Sequence, residues 1–117
     1  MVIQKVINNN VISAYDVNQQ EIVIMGKGIG FKAHTGELIE ESKIEKVFRI
    51  ENENLSRQFQ ELLENIPLEH MQLTSDIISY AIKNLNVQLN QNIYITLTDH
   101  INFAIQRQSQ GIQLKNA

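Results

Sequence analysis

Two short stretches near the N-terminus carry residues able to hold a polyanion. They are Lys5-Val6-Ile7-Asn8-Asn9-Asn10 and Gly26-Lys27-Gly28-Ile29-Gly30-Phe31-Lys32. An Asn side chain offers both donors and an acceptor, which suits base edges and 2′-hydroxyls. Glycine, lacking Cβ, lets a backbone come close to a ligand. Lys27 adds charge, and Phe31 adds a flat face for stacking on a base or sugar. Lys5 by itself would be a solvated charge. With Asn10 and Lys27 it completes one polar patch if the first and third strands present their ends together. The glycine run is not a Walker loop, which needs G-x-x-x-x-G-K-[ST] before a helix. Nor is it the dinucleotide fingerprint, whose last glycine would fall at Phe31 or Ala33. A plainer alternative stands beside each reading. The Asn run is a turn, and the glycine run is a second hairpin turn with Phe31 in the core.

His100 lies in Leu97-Thr98-Asp99-His100-Ile101-Asn102 and borders an apolar helical stripe. It is either a partly buried packing residue or a functional imidazole: proton switch, metal ligand or phosphoryl acceptor. The metal reading is the weakest. The chain has three histidines, His34, His70 and His100, none at ligand spacing, and no cysteine. No nucleophile–base pair or carboxylate pair stands out, so no catalytic residue, enzyme activity or cofactor is expected.

The elements that must position these groups follow from two periodicities. Val2 to Ile7 alternates with a period of two, and Val11 to Tyr15 resumes after the Asn turn. Ile22 to Met25 follows, and Ile44 to Ile50 closes the set beyond a turn at Thr35-Gly36-Glu37. Four short strands in sequence predict an antiparallel meander. The pattern changes near Asn52. Leu55, Phe59, Leu62, Leu63 and Ile66 recur every three or four residues, and Pro67 ends that helix. Thr74, Ser75 and Asp76 are cap candidates for a second helix with the stripe Ile77, Ile78, Ala81, Ile82 and Leu85. A third helix is expected from about Gln91 to Gln108, on Ile93, Leu97, Ile101, Ala104 and Ile105, with Gly111 as its stop. The fold class is α+β: a small four-stranded antiparallel β-sheet domain over residues 1–55, then an incomplete α-helical domain over 56–117.

The bulk composition restricts the partners. A 43% hydrophobic content supports a globular core. The absence of cysteine excludes disulfides and favours a cytoplasmic protein. No apolar run approaches the roughly 20 residues of a membrane span. Net charge is −3, which argues against bulk attraction to nucleic acid. Residues 1–33, however, hold Lys5, Lys27 and Lys32 against Asp16 and Glu21, leaving +1. An anion site is therefore local to the first third. A β unit of about 50 residues buries only around 60% of its chain surface. A second copy of itself is the simplest partner. The apolar-bearing end, Ile112 to Ala117, reads as the front part of a longer protein.

The stretches Lys5 to Val11 and Gly26 to Phe31, in this order and spacing, resemble the RNA-binding domain of the BglG/SacY-type bacterial transcriptional antiterminators. Leu97 to Ile105 resembles the first phosphorylatable segment of that family's regulatory domain. Together they cover essentially the whole chain. The resemblance implies a dimer that binds an RNA hairpin in the leader of a sugar-utilisation mRNA and prevents a terminator stem from forming. It implies that Lys5, Asn8, Asn10, Gly26, Lys27, Gly28, Gly30, Phe31 and Lys32 form the RNA face. It implies that His100 accepts a phosphoryl group from phosphotransferase-system proteins, a phosphocarrier protein or a sugar permease. The chain departs from the family pattern in two places. It ends before a second acceptor histidine, and Lys32 to Glu37 has fewer lysines than is common there. The alternative is a phosphorylation-controlled protein–protein signalling module without direct RNA binding.

Overall fold

The computed structural model describes residues 1–66, 68–84 and 92–115. Strands β1 (Ile3–Asn8), β2 (Val11–Tyr15), β3 (Glu21–Met25) and β4 (Lys46–Arg49) form one antiparallel sheet in chain order, the meander that the alternation predicts. β2 and β3 pair without a break from Val11 opposite Met25 to Tyr15 opposite Glu21. β4 is shorter than the span marked by its apolar residues. Glu41–Lys43 forms a 3-10 turn, and the Ile44 N–H donates to the Glu41 carbonyl at 3.1 Å, which delays strand pairing. At the start of β1, Ile3 exchanges backbone bonds with Gly36 and Glu37, both 2.9 Å.

The two central strands bury both faces, which explains their near-continuous apolar runs. Ile12, Ala14, Ile22 and Ile24 pack with Ile3, Ile29 and Ile39 beneath the segment joining β3 to β4. Val11, Val23 and Met25 point the other way. They pack with Phe48, Phe59, Leu63, Ile78 and Tyr94, so one apolar cluster runs from the sheet into the helices. Three rings meet edge-to-face at its centre: Phe48–Phe59 at 5.6 Å, Phe59–Tyr94 at 5.5 Å and Phe48–Tyr94 at 6.2 Å. Fully burying a side chain such as Phe59 stabilises the fold by about 1.5–3 kcal/mol.

Helices α1 (Glu53–Glu64), α2 (Leu68–Asn84) and α3 (Asn92–Lys115) follow. Asn52 caps α1, its side-chain oxygen accepting from the Leu55 N–H at 3.1 Å. Three helix expectations need correction. Thr74, Ser75 and Asp76 do not cap α2; they lie within it, with Thr74 and Ser75 buried. Packing outweighs capping preference in setting where a helix begins. Gly111 does not stop α3, which continues to Lys115. A glycine costs about 1 kcal/mol inside a helix but ends it only by leaving the helical backbone. The buried face of α3 is also rotated in part from the expected stripe. Ile101 is buried and Ile93 and Leu97 pack against the cluster as expected. Tyr94 and Thr98, however, are buried more deeply than Ile93 and Leu97, and Ala104 is exposed, because the Tyr94 ring enters the aromatic cluster. Pro67, Leu85 and Gln91, which the sequence assigns to helix ends and a stripe, lie outside the described residues. Among the described residues no helix is long and apolar enough to cross a membrane. No group of three or more His, Cys, Asp or Glu among them could hold a metal ion.

Candidate nucleic-acid interface

The Asn turn and the glycine loop form one structure at the end of the sheet. Asn8 Oδ1 accepts from the Asn10 N–H at 2.8 Å, an Asx turn that closes the β1–β2 hairpin. Neither Asn9 nor Asn10 takes the left-handed backbone that their residue type tolerates. Among the described non-glycine residues, Gln19 and Lys32 do. Asn10 then holds the loop twice. Its backbone carbonyl accepts from the Gly26 N–H at 2.9 Å, and its Oδ1 accepts from the Gly28 N–H at 2.9 Å. The Asn9 carbonyl accepts from the Gly30 N–H, also at 2.9 Å.

The glycines are needed chiefly for contacts within the protein. A Cβ on Gly26 would stand 1.7 Å from the Lys43 carbonyl oxygen, and one on Gly30 would stand 2.1 Å from that of Asn8. Gly28 differs: its φ is +75°, and nothing lies within 4 Å of where its Cβ would be. Ile29 plugs the loop into the core at 5% exposure, while Phe31 is 57% exposed. The alternative that put Phe31 in the core is thereby answered, because Ile29 takes that role.

The exposed loop presents cation and ring together. Lys27 is exposed at its tip. The Lys32 ammonium lies 5.4 Å from the centroid of the Phe31 ring, a cation–π distance. Lys5 is set apart from these residues, on the edge strand. Its ammonium is 3.7 Å from Glu21 Oε2, so part of its charge is already answered. It lines a groove of about 530 Å³ between β1, residues 33–35 and α1, with His34, Arg57 and Glu61. His100 is separate again, exposed on α3 rather than packed.

Several polar residues that periodicity did not single out support this surface. Glu21 accepts from Ser13 Oγ and from Gln60 Nε2, both at 3.0 Å. Gln60 also donates to Ser56 Oγ at 3.2 Å. The available clue was that Ser56 and Gln60 share the buried face of α1 with Phe59 and Leu63. Buried polar side chains need partners. Asn8 reaches α1 itself, donating from Nδ2 to the Leu63 carbonyl at 3.1 Å. Across the sheet, Asp16 accepts from the Asn18 and Gln20 N–H groups at 2.8 and 3.0 Å and pairs with Arg49. The Gln20 bond is the main cause that holds its carboxyl below the ordinary value. Burial opposes it, while the Asn18 bond and Arg49 assist.

Comparison with known proteins gives two family matches. Residues 1–57 match the CAT RNA binding domain, and residues 75–117 match the PRD domain. The chain is 50% identical over its whole length to the transcription antiterminator LicT of Bacillus subtilis, of which it spans 42%. It is 40% identical over 99% of its length to a beta-glucoside operon antiterminator of Dickeya chrysanthemi, spanning 41% of that protein. The crystal structure of GlcT CAT-PRDI superposes with a TM-score of 0.68 at 37% identity. That match covers 94% of this chain and 66% of the GlcT chain.

Proposed function

Since the chain belongs to the family of BglG- and LicT-type transcription antiterminators, with a CAT RNA-binding domain before a PRD domain, we propose that it binds an RNA hairpin in the leader of a sugar-utilisation mRNA. Holding that hairpin prevents the overlapping terminator stem from forming, and transcription continues. The observation that carries this reading is the shared end of the hairpin and glycine loop. There Asn10 fixes Gly26 and Gly28, and Lys27, Phe31 and Lys32 face solvent. Phe31 offers a stacking platform for an unpaired base. Lys27 and Lys32 meet phosphates, and Gly28, uncrowded around its Cα, admits the nucleic acid backbone. Asn8, Gly26 and Gly30 hold this face from within, and Lys5, set apart on β1, adds a further cation by exchanging Glu21 for a phosphate.

The protein acts as a homodimer, which doubles the exposed lysines on one surface and so concentrates positive charge locally despite a net charge of −3 per chain. The division of labour falls near residue 55, with RNA binding before it and regulation after it. His100, exposed on α3, accepts a phosphoryl group from a phosphocarrier protein or sugar permease of the phosphotransferase system. The added charge and acceptor oxygens tie RNA binding to sugar supply.

The test titrates the purified chain into a labelled leader-type hairpin, with a scrambled stem as control, at two salt concentrations. Selective binding that weakens with salt is expected. Equal weak binding to both RNAs by a folded dimer would move the reading to a protein-contact module. The exposed Leu73, Tyr80 and Phe103 of the helices favour that second reading. Phosphotransfer to the chain gives an acid-labile phosphate, lost in His100→Ala; one that persists in the variant places the acceptor elsewhere.

A further inference from the structure

The end of α1 is gripped from two sides. The last carbonyls of a helix lie outside its own hydrogen-bond ladder and take partners from elsewhere. From α3, Asn102 donates through Nδ2 to the Leu62 carbonyl at 3.2 Å. From β1, Asn8 donates through Nδ2 to the Leu63 carbonyl at 3.1 Å and approaches that of Glu64 at 3.5 Å. The Leu63 carbonyl also accepts from the Ile66 N–H at 3.3 Å, so this turn is a hydrogen-bonded knot. Asn8 then passes the connection on. Its Oδ1 accepts from the Asn10 N–H, and Asn10 Oδ1 accepts from the Gly28 N–H. A parallel link joins the same helix to Lys5 through Gln60 and Glu21.

We propose that Asn8 and Asn102 form a clasp on the last turn of α1, through which the helical unit sets the conformation of the Gly28 loop. Both ends of the Asn8 amide are taken up inside the protein, so Asn8 is a positioning residue that acts through Asn10 and Gly28. Asn102 stands two residues beyond His100 on the same helix. A change at His100 therefore reaches the loop by way of Asn102, the Leu62–Leu63 turn and Asn8. This inference rests on the RNA-binding reading for the purpose of the loop, but the clasp itself is testable without RNA.

The experiment records amide spectra and hydrogen exchange of the full chain, labelled with 15N. It compares the unsubstituted protein with Asn102→Ala, Asn102→Asp, Asn8→Asp and the double variant Asn8→Asp/Asn102→Ala. Asn8→Asp keeps the acceptor for Asn10 and loses the donor to α1. The Gly28 amide is expected to shift in every variant and to exchange faster. RNA affinity is expected to fall by about tenfold in Asn8→Asp and about two- to fivefold in Asn102→Ala, the range of one lost hydrogen bond. The double variant should bind no more weakly than Asn8→Asp, since both act on one turn.

An unchanged Gly28 amide in both Asn102 variants overturns the clasp, as do losses of affinity that multiply. Linkage is reciprocal, so hairpin RNA added to the unsubstituted chain must shift the Asn102 side-chain amide. This arm stands even if the Asn102 variants unfold, and a still signal on saturation refutes the proposal. Failure of the unsubstituted chain to prefer the hairpin over its scrambled control would count against RNA binding alone. The Gly28 signal without RNA would still decide the clasp.

Discussion

Replacing Gly30 by Ala tests whether the glycine loop is built by contact with the Asn turn. The added Cβ would lie 2.1 Å from the Asn8 carbonyl oxygen and 3.2 and 3.3 Å from the carbonyl carbons of Asn8 and Asn9. These are backbone atoms, and Asn8 is held by its pairing with Val11. Ordinary contact at 3.4 Å requires the two backbones to part by about 1.3 Å. The bond from the Gly30 N–H to the Asn9 carbonyl, now 2.9 Å, would not survive that movement. Losing it costs about 0.5–1.5 kcal/mol, and the residual overlap about 1–3 kcal/mol. The expected destabilisation is about 2–4 kcal/mol, enough to lower the urea midpoint by roughly 1 M or more. Gly28→Ala is the control. It meets no atom within 4 Å and costs about 1–2 kcal/mol for its left-handed backbone alone. Chemical unfolding followed by circular dichroism measures both. A Gly30→Ala chain as stable as the Gly28→Ala chain would refute the close approach, and with it the view that these glycines serve internal packing.

Phe31→Ala should leave the unfolding midpoint nearly unchanged, because the ring is exposed, while hairpin affinity falls by about tenfold or more through lost stacking. A normal affinity measured by fluorescence anisotropy would remove Phe31 from the site. Lys27→Ala should weaken binding to all hairpins and make the dependence of log K on log salt shallower by about 1–2 in a dimer; an unaltered slope would mean that Lys27 meets no phosphate. The carboxyl of Asp16 titrates below its ordinary value of 3.8 when folded. The folded state therefore favours the ionised form. This contribution is complete above the unfolded pKa and disappears as pH falls through the lower folded value. Urea midpoints taken downward from about pH 5 should fall less steeply in Asp16→Asn than in the unsubstituted chain. Parallel curves would contradict that assignment.

The β-meander and the existence of three helices were legible because burial imposes a period of two on strands and 3.6 on helices. The helical stripes follow the second, and the two central strands instead carry short, near-continuous apolar runs because both of their faces are buried. β2 coincides with the run Val11 to Tyr15, whose Val11, Ile12 and Ala14 are hidden on both faces while Tyr15 is exposed. Element ends were less legible. Thr74 carries a local preference for a cap, yet it is buried within α2, where packing overrides that preference; Gly111 carries a preference for a stop, yet α3 runs past it. The rotation of α3 escaped prediction because Tyr94 is drawn in by Phe48 and Phe59, which come from other elements.

The candidate site divides along the same line. Residue type alone marked Lys27, Phe31 and the asparagines as groups able to meet a polyanion, because charge, ring and amide are properties of single side chains. Folding decided how each is used. Ile29 rather than Phe31 enters the core, and Gly26 and Gly30 lie against backbone while Gly28 stays open. Lys5 is drawn to Glu21, and Asn8 turns inward to α1. These outcomes depend on which distant backbone or carboxylate arrives within hydrogen-bond or contact range. A side chain's chemistry belongs to its residue, whereas its partner across 55 positions, as from Asn8 to Leu63, exists only once the sheet and helices have packed.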